Sequence, residues 1–246
     1  MDIQEQKTYL SSLFSDHGFR ISEKQTEQLL KYYRLLIDKN RVMNLTAITD
    51  FEEVCIKHFL DSALLIRYIE KDPEKMTEKG EGPSLIDIGT GAGFPGIPLK
   101  ILRPEIHVTL MDSLKKRIDF LSEVIRDLQL SEIETVHARA EDLAKERREN
   151  YDFAVSRAVA YLPVLSEYCL PFVKTGGQFI AYKSGNFEEE VKASENALKI
   201  LGGEMEKIQT FTLPDGSERA LLFINKVSST PDKYPRRSKK IETRPL

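Results

Sequence analysis

An acid followed by glycines at alternate positions stands in the run Asp87-Ile88-Gly89-Thr90-Gly91-Ala92-Gly93-Phe94-Pro95-Gly96. Gly91, Gly93 and Gly96 satisfy a dinucleotide fingerprint, yet glycines at that spacing alone separate nucleotide ligands poorly. Asp87 says more. At the end of a strand its charge would repel a pyrophosphate and attract the ammonium and sulfonium groups of S-adenosylmethionine. The alternative for the same acid is a cap on its own turn. Glycines let the backbone bend where other residues cannot, and a turn of this kind aims free N–H groups at a ligand beyond the strand.

Three further positions extend that chemistry. Asp112 ends a second strand-like run about twenty residues beyond the turn, where an acid can accept from both ribose hydroxyls of a nucleoside cofactor. Ala140-Glu141-Asp142 follows a third such run, so one of these acids or the neighbouring backbone is expected to meet an adenine amino group, a solvated helix start being the alternative. Arg157 follows a fourth and is expected in the same crevice. It would hold the donor's carboxylate or an RNA phosphate there, or pair with a nearby acid.

Absent residues narrow the reaction. No cysteine ends the fourth or fifth strand, so a nucleophile for ring-carbon methylation is missing. The fourth strand is followed by Ser156-Arg157-Ala158-Val159, without the Asn/Asp-Pro-Pro-aromatic run that orients an exocyclic amine. A ring nitrogen with a lone pair needs neither device, and alignment with desolvation can supply most of its catalysis. Cys55 and Cys169 lie in amphipathic stretches and read as buried inert thiols. His17, His58, His107 and His137 are too scattered to pair as ligands, and no metal is expected.

The elements that position these residues follow from periodicity. Helical spacing runs from about 4 to 38, with a capping box at Ser22 and Gln25, and a third helix starts near Asp50. Strand and helix then alternate: strands at 85–88, 106–111, 133–137, 152–155 and 178–182, helices at 96–102, 114–129 and 162–173. Pro98 fits the first turn of its helix. A helix at about 187–200 precedes strand-like runs at 207–213 and 219–227, joined by Pro214-Asp215-Gly216-Ser217. The pattern predicts an α/β fold, a mostly parallel seven-stranded sheet with a terminal antiparallel hairpin and an N-terminal helical extension.

The 246 residues, 41% hydrophobic and 30% charged, suit one domain with an extension. Expected units are a helical extension at 1–70, a polar linker at 71–83, the sheet domain at 84–227 and a tail at 228–246. No apolar run reaches membrane-spanning length and the first residues lack a signal-peptide pattern, so a cytoplasmic location is expected. Net charge is only −3, so any nucleic-acid binding must come from a local patch. The segment from Lys233 to Leu246 holds six cations against one acid. It reads as a strip for phosphates, unable to bury a core, with Tyr234 free to stack on a base.

Asn44-Leu45-Thr46, His58-Phe59-Leu60-Asp61-Ser62, the run from Asp87 to Pro98, Ser156-Arg157-Ala158 and Tyr234-Pro235-Arg236 together resemble the bacterial small-subunit rRNA guanine-N7 methyltransferases of the glucose-inhibited division protein B family. The resemblance spans nearly the whole chain. It implies a Rossmann-like class I methyltransferase that methylates N7 of a guanine in the 530 loop of 16S rRNA. The cofactor would be S-adenosylmethionine and its product S-adenosylhomocysteine, and the substrate 16S rRNA, free or in the assembling small subunit, bound by a monomer. Gly89, Phe94, Ala140, Glu141 and Arg157 match the family's donor-site positions, to which Asp87, Gly91, Gly93 and Asp112 are added on the grounds above. Asn44, His58, Asp61 and Lys183 match crevice or substrate-side positions without an assigned chemical role. Tyr234, Arg236 and Arg237 are the RNA candidates of the tail. One departure stands out: Ser238-Lys239-Lys240-Ile241 replaces a Gly-x-Pro common in the family, which bears on how the tail docks.

Overall fold

Seven apolar runs form one sheet: β1 (Ser84–Ile88), β2 (His107–Asp112), β3 (Ile133–His137), β4 (Tyr151–Arg157), β5 (Val173–Ser184), β6 (Gly203–Thr212) and β7 (Glu218–Lys226). Their order is β3-β2-β1-β4-β5-β7-β6, parallel from β3 to β5 and antiparallel at β5–β7 and β7–β6. The computed structural model describes residues 1–69, 82–157, 160–185 and 187–246, and the expected linker at 71–83 lies outside them except for its last two residues. The order reverses between β1 and β4, and a ligand crevice opens at the carboxyl ends of strands at such a point.

Period-two alternation decides which side chains face which layer. Leu85 joins Leu110, Phe153 and Val155 on one face, whereas Ile86 and Ile88 join Ala154, Phe179 and Ala181 on the other. The first face is covered by α1 (Ile3–Asp16), α2 (Glu23–Met43), α6 (Gly96–Leu102) and α7 (Lys115–Asp127). The second is covered by α8 (Ala140–Leu143), α9 (Leu162–Cys169) and α10 (Glu188–Leu201).

Helix α2 begins with the expected Ser22–Gln25 box and lies across the ends of its neighbours. Gln25 Nε2 donates to the carbonyls of Ile101 and Leu102 at the end of α6, and Gln28 Nε2 donates to Leu128 O beyond α7. These amides satisfy carbonyls that a helix end leaves without intrahelical partners. Asp50 caps α3 (Phe51–Val54), which runs through a π-helical turn at Cys55–Leu60 into α4 (Asp61–Ala63), with α5 (Ile66–Ile69) beyond.

Two expectations change. The helix expected at 162–173 stops at Cys169, because Leu170–Phe172 winds into a tighter turn and Val173 already pairs in β5. The tail does not leave Tyr234 free to stack on a base. Tyr234 is buried in the second core, and Arg236 makes a two-pronged pair with the fully buried Glu167, through Nε at 2.8 Å and Nη2 at 2.6 Å. Ser238–Thr243 forms α11, pinned by the fully buried Ile241, in place of the extended strip.

Candidate active site

The glycine turn closes on itself. Gly89 and Thr90 donate their N–H groups to Met111 O, at 2.9 and 3.0 Å, and Gly93 and Phe94 donate to Thr90 O. Gly91 donates to Asp112 Oδ2 at 3.0 Å. The N–H groups of Gly89, Thr90, Gly91, Gly93 and Phe94 are thus engaged within the protein, which leaves a pyrophosphate little to bind. The start of α6 is engaged as well: Gly96 N donates to Asp87 Oδ2 at 2.9 Å, so a carboxylate already occupies the anion position at that helix end.

Asp87 is therefore a cap and not a wall of the crevice. It shares the Leu85 face of β1, fully buried, with Thr90 Oγ1 donating to Oδ2 at 2.7 Å and Oδ1 left without a hydrogen-bond partner. Burial raises its carboxyl from 3.8 to about 6, against the opposing hydrogen bonds from Thr90 and Gly96. Gly93 also departs from expectation. Its φ is +105°, and a Cβ there would meet Ile97, Leu121 and the Tyr32 hydroxyl at 2.7–2.8 Å, so it serves packing and not the crevice. Gly91, at φ +61°, faces open space on the crevice.

Beyond the turn lies a cavity of about 550 Å³, whose walls include Gly89, Phe94, Asp112, Ala140, Glu141 and Arg157. Asp112 ends β2 and accepts from Leu114 N at 2.9 Å and Arg117 Nη1 at 3.1 Å, besides Gly91. Arg117, on the first turn of α7, was not singled out from sequence, although its spacing from Asp112 allows the pair. Thr46, Thr90, Tyr168, Ser238 and Glu242 also line the cavity without having been foreseen.

A stacked column closes the other end. The His58 ring lies 4.3 Å from the Phe94 ring at an interplanar angle of 23°, and the Arg157 guanidinium sits 4.9 Å from the Phe94 centroid. Arg157 Nη1 pairs with Asp61 Oδ2 at 3.0 Å and reaches Lys57 O at 3.1 Å, while Nη2 lies 3.1 Å from His58 Nδ1. Nδ1 lies 3.1 Å from both Arg157 Nη2, which only donates, and Lys57 O, which only accepts, and Nε2 lies 3.0 Å from Thr46 Oγ1. Burial, with Arg157 next, lowers the His58 pKa to about 3. This ring is neutral near pH 7. Burial pushes the Asp61 carboxyl up, against the opposing pull of Arg157 and Arg219.

Behind the column lies a second cavity of about 330 Å³, sharing His58 and Arg157 with the first and lined also by Asp61, Lys183, Glu190 and Arg219. Lys183 Nζ is held by Glu190 and by Ala160 O. His58, Asp61 and Lys183 are thus brought together. Asn44 is not: it is exposed, closes α2 in the left-handed conformation at φ 50°, and lines neither cavity. Tyr234 and Arg236, buried and paired with Glu167 respectively, are not presented to a ligand, whereas Arg237 is exposed.

The sequence model of a family described as GidB, rRNA small subunit methyltransferase G, matches residues 25–221. The chain belongs to this family. Two relatives carry the name ribosomal RNA small subunit methyltransferase G: one from Lachnoclostridium phytofermentans, 50% identical over 99% of this chain and 98% of that one, and one from Alkaliphilus metalliredigens, 48% identical over 95% of both. The fold also matches a solved structure, the YcgJ protein of Bacillus subtilis, with a TM-score of 0.52 and 12% identity over 70% of this chain and 100% of that one. The family is one of small-subunit rRNA methyltransferases, and the sheet is the Rossmann-like class I methyltransferase fold expected from sequence. Among the described residues no helix is long and apolar enough to cross a membrane.

Proposed function

We propose that the chain transfers a methyl group from S-adenosylmethionine to N7 of a guanine in the 530 loop of 16S rRNA. The observation that carries the donor is the glycine turn: most of its N–H groups are engaged internally and Asp87 already holds the start of α6, so a pyrophosphate has little to bind, while the cavity beside it presents the carboxylates of Asp112 and Glu141 together with Arg117, Arg139 and Arg157. Such a mixed lining suits a nucleoside that carries both cations and a carboxylate. The unpartnered Asp87 Oδ1 adds a buried negative site beneath the turn. Its 550 Å³ suits a ligand of that size.

In this reading Asp112 meets the ribose hydroxyls, Ala140 and Glu141 flank the adenine, and Phe94 and Arg157 stand where the methyl group leaves. When bound, S-adenosylmethionine supplies an electrophilic methyl carbon on a sulfonium. The second cavity takes the acceptor base, with Asp61, Lys183, Glu190 and Arg219 offering charged partners to its polar edges. Guanine N7 uses its lone pair to form the new C–N bond as the methyl–sulfur bond breaks, and no proton leaves the base. His58, neutral near pH 7 and within hydrogen-bond reach of Thr46 and Arg157, lies on the edge that the two cavities share and takes no proton. The quoted motifs, and membership of the family, support the 530 loop as the target.

Two measurements test this. A single-turnover rate at saturating donor and RNA is expected to be nearly flat from about pH 6 to 9, since no general base is required. RNA modified by the protein should undergo strand scission at the target after mild reduction and aniline treatment, because a cationic 7-methylguanine has a weakened glycosidic bond. A rate rising tenfold per pH unit, or resistance to scission, would make N7 the wrong acceptor.

A further inference from the structure

The C-terminal segment reaches the donor cavity. Ser238, Ile241 and Glu242 fall at i, i+3 and i+4 on one face of α11, with Ile241 fully buried and both Ser238 and Glu242 lining the 550 Å³ cavity. Ser238 N donates to Glu141 Oε1 at 3.2 Å, Arg139 Nη1 donates to Ser238 Oγ at 3.3 Å, and the Tyr168 hydroxyl donates to Glu242 Oε1 at 3.3 Å. The segment is held there by the Arg236–Glu167 pair, the buried Tyr234 and Ile241. Nothing in the chain's composition suggested a ligand role for it beyond RNA phosphates.

We infer that the C-terminal helix forms a wall of the donor site and that Glu242 is a specificity-determining residue there, accepting a hydrogen bond from the exocyclic amine of the adenine. The inference rests on reading the donor as S-adenosylmethionine. Its chemistry follows from position. Glu141, next after β3, stands at the adenine end of the cavity, and Ser238 is bonded to it, so α11 lies over that end. Ser238 takes up one oxygen of Glu141 and Tyr168 one oxygen of Glu242, so each carboxylate keeps an oxygen for one of two donors. An adenine amine carries two N–H donors, and an ionised carboxylate is the strongest acceptor available for them. The exposed Lys239 and Lys240 ride on the same six-residue helix, so contact between these lysines and RNA would also bear on how the donor is held.

Calorimetry with S-adenosylhomocysteine tests this on the full chain. Glu242 is exposed, so Glu242→Ala should fold and melt as the wild type does. Its affinity for S-adenosylhomocysteine should fall about tenfold, the low end for losing a charged acceptor. Glu242→Gln keeps a carbonyl acceptor and should retain most of the affinity. S-inosylhomocysteine, in which a carbonyl replaces the amine, should bind the wild type more weakly than S-adenosylhomocysteine, and Glu242→Ala should lose that discrimination. Equal affinity of Glu242→Ala and wild type for S-adenosylhomocysteine, or the same adenine-to-hypoxanthine ratio in both, would overturn the assignment while leaving the donor reading intact. A wild type that binds neither compound would overturn both.

Discussion

Replacing Asp87 by asparagine removes one ionisable group from a fully buried position while keeping an oxygen for Thr90 Oγ1 and the Gly96 N–H. Burial raises the wild-type carboxyl from 3.8 to about 6, so the folded protein binds this proton more tightly than the unfolded chain does. Stability from this group is fully present below pH 3.8, falls as the pH rises, and levels off above about 6. Roughly two pKa units at about 1.4 kcal/mol each give a total of about 3 kcal/mol. Asparagine does not titrate, so the difference between the two proteins isolates the carboxyl. Urea unfolding at intervals from pH 4 to pH 8 should show the wild type losing about 2 kcal/mol of that total relative to Asp87→Asn, most of it below about pH 6. Binding of S-adenosylmethionine should move the other way. A cation near Asp87 favours its ionised form, so wild-type affinity should rise through pH 6 and the variant should lack that rise. A stability difference independent of pH would refute burial as the source of the shift, and with it the picture of Asp87 as a desolvated anion beneath the turn.

Gly91→Ala and Gly93→Ala should separate two roles within one motif. The first, at φ +61° in open space, is expected to cost about 1–2 kcal/mol and to weaken donor binding, whereas the second collides with Ile97, Leu121 and Tyr32 and should cost about 2–4 kcal/mol by denaturant unfolding. Arg157→Met leaves Asp61 with Arg219 at 3.7 Å as its remaining charged partner, and should destabilise the protein by about 3 kcal/mol at pH 8. The loss should be smaller at pH 5, because burial already pushes this carboxyl upward and losing the Arg157 charge makes it easier still to protonate; equal losses at both values would contradict a buried charge at Asp61. Replacing Lys239 and Lys240 together by alanine should lower the log–log salt slope of RNA binding by about 1.4 if both meet single-strand phosphates. An unchanged slope would place the RNA elsewhere.

The sheet was legible because its signal is local. Leu85, Ile86 and Ile88 make an apolar run before glycines, Ser22 and Gln25 cap α2 three residues apart, and Gly202 closes α10 in the left-handed conformation. The tail was misread because its decisive partner is remote. Arg236 looks like one more cation in a basic strip, and only the fold brings the buried Glu167, 69 positions away, against it. A charge count within the segment is blind to that pair. The inward spacing of Ser238, Ile241 and Glu242 was the available local signal, masked by the lysines between them.

The site was legible by residue type more than by role. Asp112, Glu141, Ala140, Phe94 and Arg157 meet at one cavity, but Arg157 is held by Asp61, and Asp112 already accepts from three protein donors. The fingerprint glycines answer three separate demands. Gly91 faces the cavity, Gly93 fits beneath Ile97 and Leu121, and a Cβ at Gly96 would lie 2.9 Å from Asp87 Oδ2. A spacing that looks like a single phosphate motif is therefore compatible with a turn that binds no phosphate at all. What separates the two cases is the acid before the glycines. With Asp87 accepting from Gly96 N at the start of α6, the protein supplies its own anion where a pyrophosphate would sit.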